Sequence, residues 1–151
     1  MITLERTSTS NPQFLGLVVE LDKELWARYP LVQQKYAPHN KVDITARVVL
    51  AFFDKNIAGC GCFRPMEEQD TVEIKRMYVV PFLRGRGIAG SILNELEEWA
   101  NEESFIQSKL ETGRNQPEAI ALYKKYQYTI IPNYPPYTHM EESICMGKRL
   151  S

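Results

Sequence analysis

Glycine and arginine alternate at residues 84–90, R-G-R-G-I-A-G, between the apolar run M-Y-V-V and a helical pattern. Glycine lets a ligand approach the backbone closely, and the free N–H groups of a helix N-terminus bind anions. Acids usually occupy the first turn of a helix, yet none stands between Pro81 and Asn94. Arg84 and Arg86 stand there instead. The pattern therefore predicts that a bound anion, such as a pyrophosphate, supplies the missing negative charge.

Two other interpretations of this stretch are a dinucleotide site and a solvated basic turn. Gly85, Gly87 and Gly90 satisfy G-x-G-x-x-G, and Glu111 follows about 20 residues later, where a ribose partner is expected. In a dinucleotide fold, however, the first strand of the domain leads directly into the first glycine. Here the strand before the glycines, which ends in M-Y-V-V, is preceded by three other predicted strands. No G-K-S or G-K-T follows, which excludes a nucleoside-triphosphate loop. The solvated turn stays open on these residues alone.

The elements that position this stretch follow from hydrophobic periodicity. Apolar residues at helical spacing predict an amphipathic helix through Phe14, Leu17, Val18, Leu21 and Leu25 and another through Ile88, Ile92, Leu93, Leu96 and Ala100. Three strands with short connections, A-R-V-V-L-A-F-F, I-A-G-C-G-C-F-R and V-E-I-K-R-M-Y-V-V, predict an antiparallel meander. The full order is β-α-β-β-β-α-β-α-β-β. It predicts an α/β (α+β) fold with a mixed, mostly antiparallel sheet and helices on both faces.

Composition and charge bound the function. The 151 residues are expected to form a single domain, and 44% hydrophobic with 25% charged residues is typical of a soluble globular protein. The formal net charge of -1 gives no bulk attraction to nucleic acid. Neither a leader nor a membrane span is recognisable, so a cytoplasmic location is expected. Cys60, Cys62 and Cys145 form no zinc-site spacing and are expected to be buried, reduced thiols, with no metal bound.

Two motifs resemble those of one family. Residues 84–89, R-G-R-G-I-A, resemble the Q/R-x-x-G-x-G/A coenzyme A motif of the GNAT superfamily of acetyl-CoA-dependent N-acetyltransferases. Further along, E-A-I-A-L-Y-K-K-Y-Q-Y resembles the A-x-x-L-Y-x-x-x-G-F motif of the same superfamily. The resemblance covers about residues 45 to 131, and the predicted strand order agrees with it.

The resemblance implies a site for acetyl-CoA. The backbone amides of Gly85, Arg86, Gly87, Ile88, Ala89 and Gly90 would hold the pyrophosphate, with the side chains of Arg84 and Arg86 beside it. Pantetheine would lie along Met77, Tyr78 and Val79, between two strands that splay apart, and the Val79 amide would polarise the thioester carbonyl. Two positions depart from the family pattern. Gln116 stands where many members have Asn, which could alter coenzyme contacts, and Gln127 replaces the usual glycine after a helix.

The resemblance also implies catalytic residues. Tyr123 matches the tyrosine that protonates the departing thiolate. An acceptor amine is mostly protonated at neutral pH, so a base must take its proton, and two carboxylates match base positions of different family members: Glu73 and Glu111. We favour Glu73 from the sequence, because residues 73, 75, 77 and 79 share one face of a regular strand and Glu73 would then point the same way as Met77 and Val79. The alternative is that this face of the strand is the one covered by a helix.

The expected activity is direct acetyl transfer from acetyl-CoA to a primary amine on a small molecule or peptide. The alternative is a GNAT-fold module that senses acyl-CoA without turnover. The sequence does not identify the acceptor, although Trp26, Tyr29, Tyr134 and Tyr137 could line its site. Residues 26–44 have no assigned role. No nucleic-acid or membrane partner is expected, and a homodimer is compatible with the sequence.

Overall fold

A computed structural model describes residues 1–30, 36–40 and 43–150. Its core is a seven-stranded sheet in the order β1-β2-β3-β4-β5-β7-β6. The strands are β1 (Ile2–Ser8), β2 (Arg47–Phe53), β3 (Asn56–Pro65), β4 (Thr71–Val79), β5 (Gln107–Gly113), β6 (Thr129–Ile131) and β7 (Ser143–Arg149). The helices are α1 (Pro12–Arg28), α2 (Ile88–Glu102) and α3 (Pro117–Lys125), with short 3₁₀ turns at Ala37–Asn40 and Pro81–Leu83. The predicted order of elements is confirmed.

The sheet is mixed and mostly antiparallel, as expected. Only β4 and β5 run parallel, because α2 carries the chain from one to the other across a face of the sheet. Their pairing covers Thr71–Ile74 of β4 and Gln107–Leu110 of β5. Beyond Ile74 both strands continue without pairing to each other, so a gap opens in the middle of the sheet.

Helices cover both faces of the sheet, which confirms the predicted layers. On one face, Phe14, Leu17 and Leu21 of α1 pack on the inward side chains of β2 and β3, Cys60 and Cys62 among them. On the other face, α2 and α3 pack in the larger core cluster. The start of α1 is fixed locally, because the Asn11 side chain accepts hydrogen bonds from two free N–H groups of the first turn and proline occupies the first helical position.

Strand β4 contains a bulge. Tyr78 pairs with Cys60 of β3 but Lys75 pairs with Cys62, so two residues of β4 lie opposite a single residue of β3. Arg76, one of these two, has φ 59°, in the left-handed region that side chains other than glycine rarely adopt. The bulge therefore breaks the alternation of side chains along β4.

The bulge makes one expectation from the sequence wrong. Met77 and Val79 pack in the core cluster beneath α2, whereas Tyr78 packs in the cluster beneath α1. Lys75 pairs with Cys62, which also faces α1, and Glu73 lies two residues before Lys75 on the same face. Glu73 and Lys75 therefore point away from the face that Met77 and Val79 share, because the inserted residue reverses the alternation between them.

The end of α3 is closed by a Schellman motif. The Tyr128 N–H donates to the Tyr123 carbonyl at 2.9 Å and the Gln127 N–H donates to the Lys124 carbonyl at 3.0 Å. The Tyr128 and Tyr123 rings meet edge to face with their centroids 5.9 Å apart, which is the apolar contact typical of this motif. Gln127 has φ 75°, so it adopts the conformation that glycine adopts in related helix ends. The absent glycine thus leaves the turn's geometry intact.

Replacing Gln127 with glycine is expected to stabilise the fold by about 0.5–1 kcal/mol. Relief of the left-handed strain, about 1–2 kcal/mol, exceeds the entropy that glycine adds to the unfolded chain, about 0.5–1 kcal/mol. Chemical denaturation measures the change. Gln127→Ala is the matched control, because alanine removes the same side chain without relieving the backbone. A glycine variant no more stable than the alanine variant would show that φ at this position carries no strain.

Candidate active site

A cavity of about 480 Å³ lies where β4 and β5 separate. It is lined by the C-terminal part of α1, by β4 and β5, and by α3, so it passes from one face of the sheet to the other. Five of the residues predicted to act in catalysis or coenzyme binding line it: Glu73, Met77, Glu111, Gln116 and Tyr123. The fold therefore brings together residues that the sequence separates by up to 50 positions.

The turn before α2 has the geometry of an anion loop. Gly85 and Gly87 have φ of 82° and 80°, and a Cβ built on either would meet no atom within 4 Å. These two glycines are therefore required by the backbone, and space lies beside them. Gly87 is the N-cap of α2, whose first turn contains Ile88 and Ala89 and no acid. The orphan N–H groups of this turn have the orientation that binds an anion at a helix N-terminus.

Gly90 has a different role from Gly85 and Gly87. A Cβ at Gly90 would overlap the phenol ring of Tyr126, which follows α3. Gly90 is also buried within the first turn of α2. Its lack of a side chain lets the end of α3 pack against the start of α2, so its place in the G-x-G-x-x-G pattern reflects helix packing.

Arg84 is already engaged within the protein. Its Nε donates to the Val79 carbonyl at 2.8 Å and its Nη2 lies 2.9 Å from a carboxylate oxygen of Glu24 on α1. The guanidinium also lies over the Tyr78 ring, 5.4 Å from its centroid. Arg84 therefore ties the end of β4 to α1. Arg86 is exposed and rests over the Phe53 ring; it forms no ion pair with an acid of the described chain.

The backbone of Val79 points into the gap. The Val80 N–H donates to the Ala58 carbonyl at 2.8 Å. Because hydrogen-bonded and non-hydrogen-bonded pairs alternate in an antiparallel ladder, Val79, which lies opposite Gly59, directs its own N–H and C=O away from β3. The contact of Arg84 with the Val79 carbonyl agrees with this direction. The Val79 N–H is thus directed to the side from which β5 has diverged.

Glu73 is a buried anion with partners on two sides. It is 2% exposed, and its Oε1 lies 2.7 Å from Nη2 of Arg64 on the neighbouring strand. No aligned hydrogen bond reaches this oxygen, so the contact with Arg64 is an ion pair. The Tyr134 hydroxyl donates to Oε2 at 2.8 Å. These two contacts fix the position of the Glu73 carboxylate.

Glu111 is the carboxylate whose protonation changes near neutral pH. Its pKa is raised to about 7, mainly by burial and also by the negative charge of Glu73, while a hydrogen bond from Ser143 and the charge of Lys75 act in the opposite direction. Ser143 Oγ lies 2.7 Å from Oε2 of Glu111. A carboxylate with such a pKa is suited to accept and release a proton at physiological pH.

Tyr123 is buried in α3 and faces the same cavity. Burial, and next the negative charge of Glu111, raise the pKa of its phenol well above the usual value. The phenol is therefore protonated at all physiological pH values. Its hydroxyl has no hydrogen-bond partner among the described residues and remains available to a ligand in the cavity.

Aromatic residues form the other end of the cavity. Tyr29, Tyr36 and Tyr137 line it, whereas Tyr134 packs behind them against Glu73 and Trp26 lies outside the lining, 43% exposed. Sequence reasoning named Tyr29 and Tyr137 and missed Tyr36, which belongs to the segment 26–44 that had no assigned role. Residues 31–35 and 41–42 of that segment lie outside the described residues.

The C-terminal end of α1, which lines the cavity, contacts the start of α3 through a hydrogen bond and an ion pair. The Tyr29 hydroxyl donates to the Asn115 carbonyl at 3.0 Å, and Arg28 pairs with Glu118 at 3.3 Å. Asn115 immediately precedes Gln116, the N-cap residue of α3, and Glu118 lies in the first turn of this helix. The Gln116 side chain packs on Gly113. These contacts connect the helix on one face of the sheet to the helix on the other.

None of the three cysteines lines the cavity. All three are free and buried, as expected, and burial raises the pKa of Cys60 and of Cys62 to about 12, so both remain protonated thiols. Within the described ranges, no group of three His, Cys, Asp or Glu residues is arranged to hold a metal ion. No helix in the same part of the chain combines the length and apolar character needed to cross a bilayer.

Comparison with known proteins identifies the family. A model of the acetyltransferase (GNAT) family matches residues 14–128. An IAA acetyltransferase of Azospirillum brasilense is 31% identical over 152 residues, which span 99% of this chain and 98% of that protein. A Klebsiella pneumoniae structure assigned as an acyl-CoA N-acyltransferase superposes with a TM-score of 0.81 at 27% identity, covering 100% of this chain and 99% of that one.

Two more distant structures share the fold with a coenzyme bound. The PaiA N-acetyltransferase of Thermoplasma acidophilum, solved with coenzyme A, has a TM-score of 0.74 at 16% identity and covers 99% of both chains. A GNAT acetyltransferase of Elizabethkingia anophelis, solved with acetyl-CoA, has a TM-score of 0.69 at 22% identity over 99% of this chain and 98% of that one. The chain therefore belongs to the acetyltransferase (GNAT) family.

Proposed function

We propose that this acetyltransferase acts as one domain and moves the acetyl group of acetyl-CoA directly to a primary amine of the acceptor. The observation that carries the proposal is the pairing of two opposite proton-transfer groups in one cavity. Glu111, with a pKa of about 7, can accept a proton, and Tyr123, whose phenol stays protonated, can donate one. Both groups would assist transfer to an amine, whereas a sensor of acyl-CoA has no proton transfer for them to assist.

The residues present fit acetyl-CoA. Open space beside Gly85 and Gly87, the acid-free N-terminus of α2 and the exposed Arg86 suit a pyrophosphate. The gap between β4 and β5, which Met77 lines, suits the pantetheine arm. When bound, acetyl-CoA supplies the acetyl group as a thioester. Arg84 contributes by orienting the end of β4, since its guanidinium is engaged by Glu24 and Val79.

The Val79 N–H acts on the carbonyl of the acetyl group. It is directed into the gap and is held by the ladder that β4 forms with β3. A donor fixed in advance stabilises negative charge that develops on a carbonyl oxygen without any reorganisation during the reaction. This is the electrostatic part of the proposed catalysis.

Glu111 takes the proton of the acceptor amine, in preference to Glu73. The sequence favoured Glu73 because it was expected to share a face with Met77 and Val79, and the bulge removes that reason. Glu73 is moreover tied to Arg64 and to the Tyr134 hydroxyl. Glu111 faces the cavity with one carboxylate oxygen bonded to Ser143, which leaves the other for the amine.

Tyr123 supplies the proton that the leaving sulfur requires. Its phenol is protonated because burial and the charge of Glu111 both oppose ionisation. The Schellman motif fixes the residue, since the Tyr123 carbonyl accepts from Tyr128 and the two rings pack together. Tyr123 is thereby held at the cavity that Glu111 also lines.

A panel of amines tests the proposal. Purified protein with acetyl-CoA is expected to release coenzyme A thiol, detected by a thiol reagent, in the presence of at least one class among amino acids, polyamines, aminoglycosides and peptides. IAA belongs in the panel because the Azospirillum relative carries it in its name. If coenzyme A raises the melting temperature but no amine causes release of its thiol from acetyl-CoA, the result would favour the sensor. If only IAA causes release, IAA and not an amine would be the acceptor.

A further inference from the structure

Ser143 is a buried hydroxyl beside the carboxylate of Glu111. It is 2% exposed, at the first position of β7, and pairs with Gly113 while Glu111 pairs with Cys145. Ser143 and Glu111 are thus diagonal neighbours on one face of the β5–β7 ladder, within reach of each other's side chains. Their oxygens are 2.7 Å apart.

The backbone around Ser143 is held firmly. The Asn133 side-chain amide donates to the carbonyls of Tyr137, Met140 and Ser143 at 3.1 to 3.3 Å. The Ser143 N–H donates in turn to the Met140 carbonyl at 3.1 Å. The loop that enters β7 is therefore closed on itself, and the position of the Ser143 side chain is fixed independently of any ligand.

The Ser143 hydroxyl has two oxygen neighbours and one proton. Besides Glu111, it contacts the Tyr36 hydroxyl at 2.9 Å. An ionised carboxylate only accepts hydrogen bonds, so the serine proton serves Glu111 whenever Glu111 is charged, and the Tyr36 hydroxyl is then free to donate to Ser143. When Glu111 is protonated, the serine proton can turn to Tyr36.

We propose that Ser143 is a positioning residue for the general base: its hydroxyl aims the Glu111 carboxylate and stabilises the charged form of that carboxylate. The inference rests on the proposed function of Glu111 as the base. It goes beyond that function because it assigns the tuning of the base to a residue outside the cavity lining. It also explains why a serine, with its donor and its small volume, occupies this buried position.

The other groups that face Glu111 do not replace this donor. The titratable and charged residues that interact with it are Tyr36, Glu73, Lys75, Tyr123, Tyr137 and Cys145. Glu73 raises the pKa of Glu111, and Lys75 lowers it by less than the Ser143 hydrogen bond does. Removing the Ser143 hydroxyl therefore leaves burial and the charge of Glu73 to dominate.

Titration of the Glu111 carboxyl carbon by ¹³C NMR in the free protein tests the proposal without any ligand. Loss of the signal in Glu111→Gln assigns it. In Ser143→Ala, the titration midpoint is expected to move upward by about one pH unit, the size expected for one hydrogen bond to a charged group. Ser143→Cys, with nearly the same shape and a weaker donor, is expected to shift the midpoint in the same direction by less.

Ser108→Ala is the matched control. Ser108 is also buried on the β5–β7 ladder, but its hydroxyl bonds to Tyr128 on the other side of the sheet, so this variant is expected to leave the Glu111 midpoint unchanged. An unchanged midpoint in both Ser143 variants would overturn the proposal, as would an equal shift in Ser108→Ala. If Ser143→Ala does not fold, Ser143→Cys alone decides between these outcomes.

A second measurement separates this inference from the proposed function. In the pH profile of kcat/KM, the acidic limb is expected to move upward in Ser143→Ala, with rates approaching those of the wild type above the limb. A wild-type limb that persists in Glu111→Gln would overturn the role of Glu111 as the base. A limb that Glu111→Gln removes and Ser143→Ala leaves in place would overturn only the role of Ser143.

Discussion

Replacing Tyr123 with phenylalanine is expected to lower kcat by roughly 10²- to 10⁴-fold, the range for loss of a general acid. Only the hydroxyl is lost, and the edge-to-face contact with Tyr128 and the Schellman motif remain. The affinity for coenzyme A is therefore expected to stay nearly unchanged. Steady-state kinetics with the best acceptor, together with calorimetric titration of coenzyme A, measure the two quantities separately.

Tyr128→Phe is the control for this variant. Tyr128 is the second tyrosine of the same motif and is equally buried, but its hydroxyl bonds to Ser108, away from the cavity. Its replacement is expected to cost about 1 kcal/mol of stability through the lost hydrogen bond and to leave kcat near the wild-type value. Near wild-type turnover in Tyr123→Phe would make Tyr123 a packing residue like Tyr128 and remove the general acid from the mechanism.

Replacing Glu111 with glutamine is expected to depress turnover strongly at neutral pH and to let it recover as pH rises. Glutamine keeps the shape of the side chain and cannot take a proton. The wild-type rate is expected to decrease at pH values below the pKa of Glu111, about 7, because the carboxylate becomes protonated there. The variant rate is expected instead to follow the fraction of free amine, whose pKa lies near 10. Kinetics measured from the acid side of neutral pH up to about pH 10 compare the two profiles.

Glu73→Gln is the matched control on the neighbouring strand. It leaves the Arg64 guanidinium without its buried counter-charge, so a lower melting temperature is expected, with a loss of turnover that does not recover at high pH. Recovery at high pH in Glu73→Gln but not in Glu111→Gln would reverse the assignment of the base. Recovery in neither variant would mean that the amine loses its proton to water.

Most of the fold was predictable because each element carries its own local signal. Helical spacing of apolar residues defined α1 and α2, and proline at position 117 marked the start of α3. The bulge at Arg76 was not predictable, since K-R-M-Y-V reads as a regular strand. Its cause is the pairing of β4 with β3, where Gly61 leaves room for two residues opposite it, and that pairing is a tertiary property.

The site was predictable only where a contiguous motif marked it. The glycine turn and Tyr123 belong to such motifs, whereas the choice between Glu73 and Glu111 depended on the face of β4. Ser143 and Tyr36 gave no usable signal. They are 107 positions apart, and E-E-S-I-C reads simply as a polar turn entering a strand. Only the sheet order, which sets β7 beside β5, brings Ser143 to Glu111.

The bulge in β4 also means that the two halves of this strand are out of phase. The half before Arg76 turns Glu73 and Lys75 toward α1, and the half after it turns Met77 and Val79 toward α2. The length of the strand, as well as its composition, thus encodes the site. A substitution in β4 alters one side chain. The deletion of a single residue would instead turn every side chain after Arg76 to the opposite face of the sheet. Substitutions in β4 are therefore expected to be tolerated far more readily than insertions or deletions.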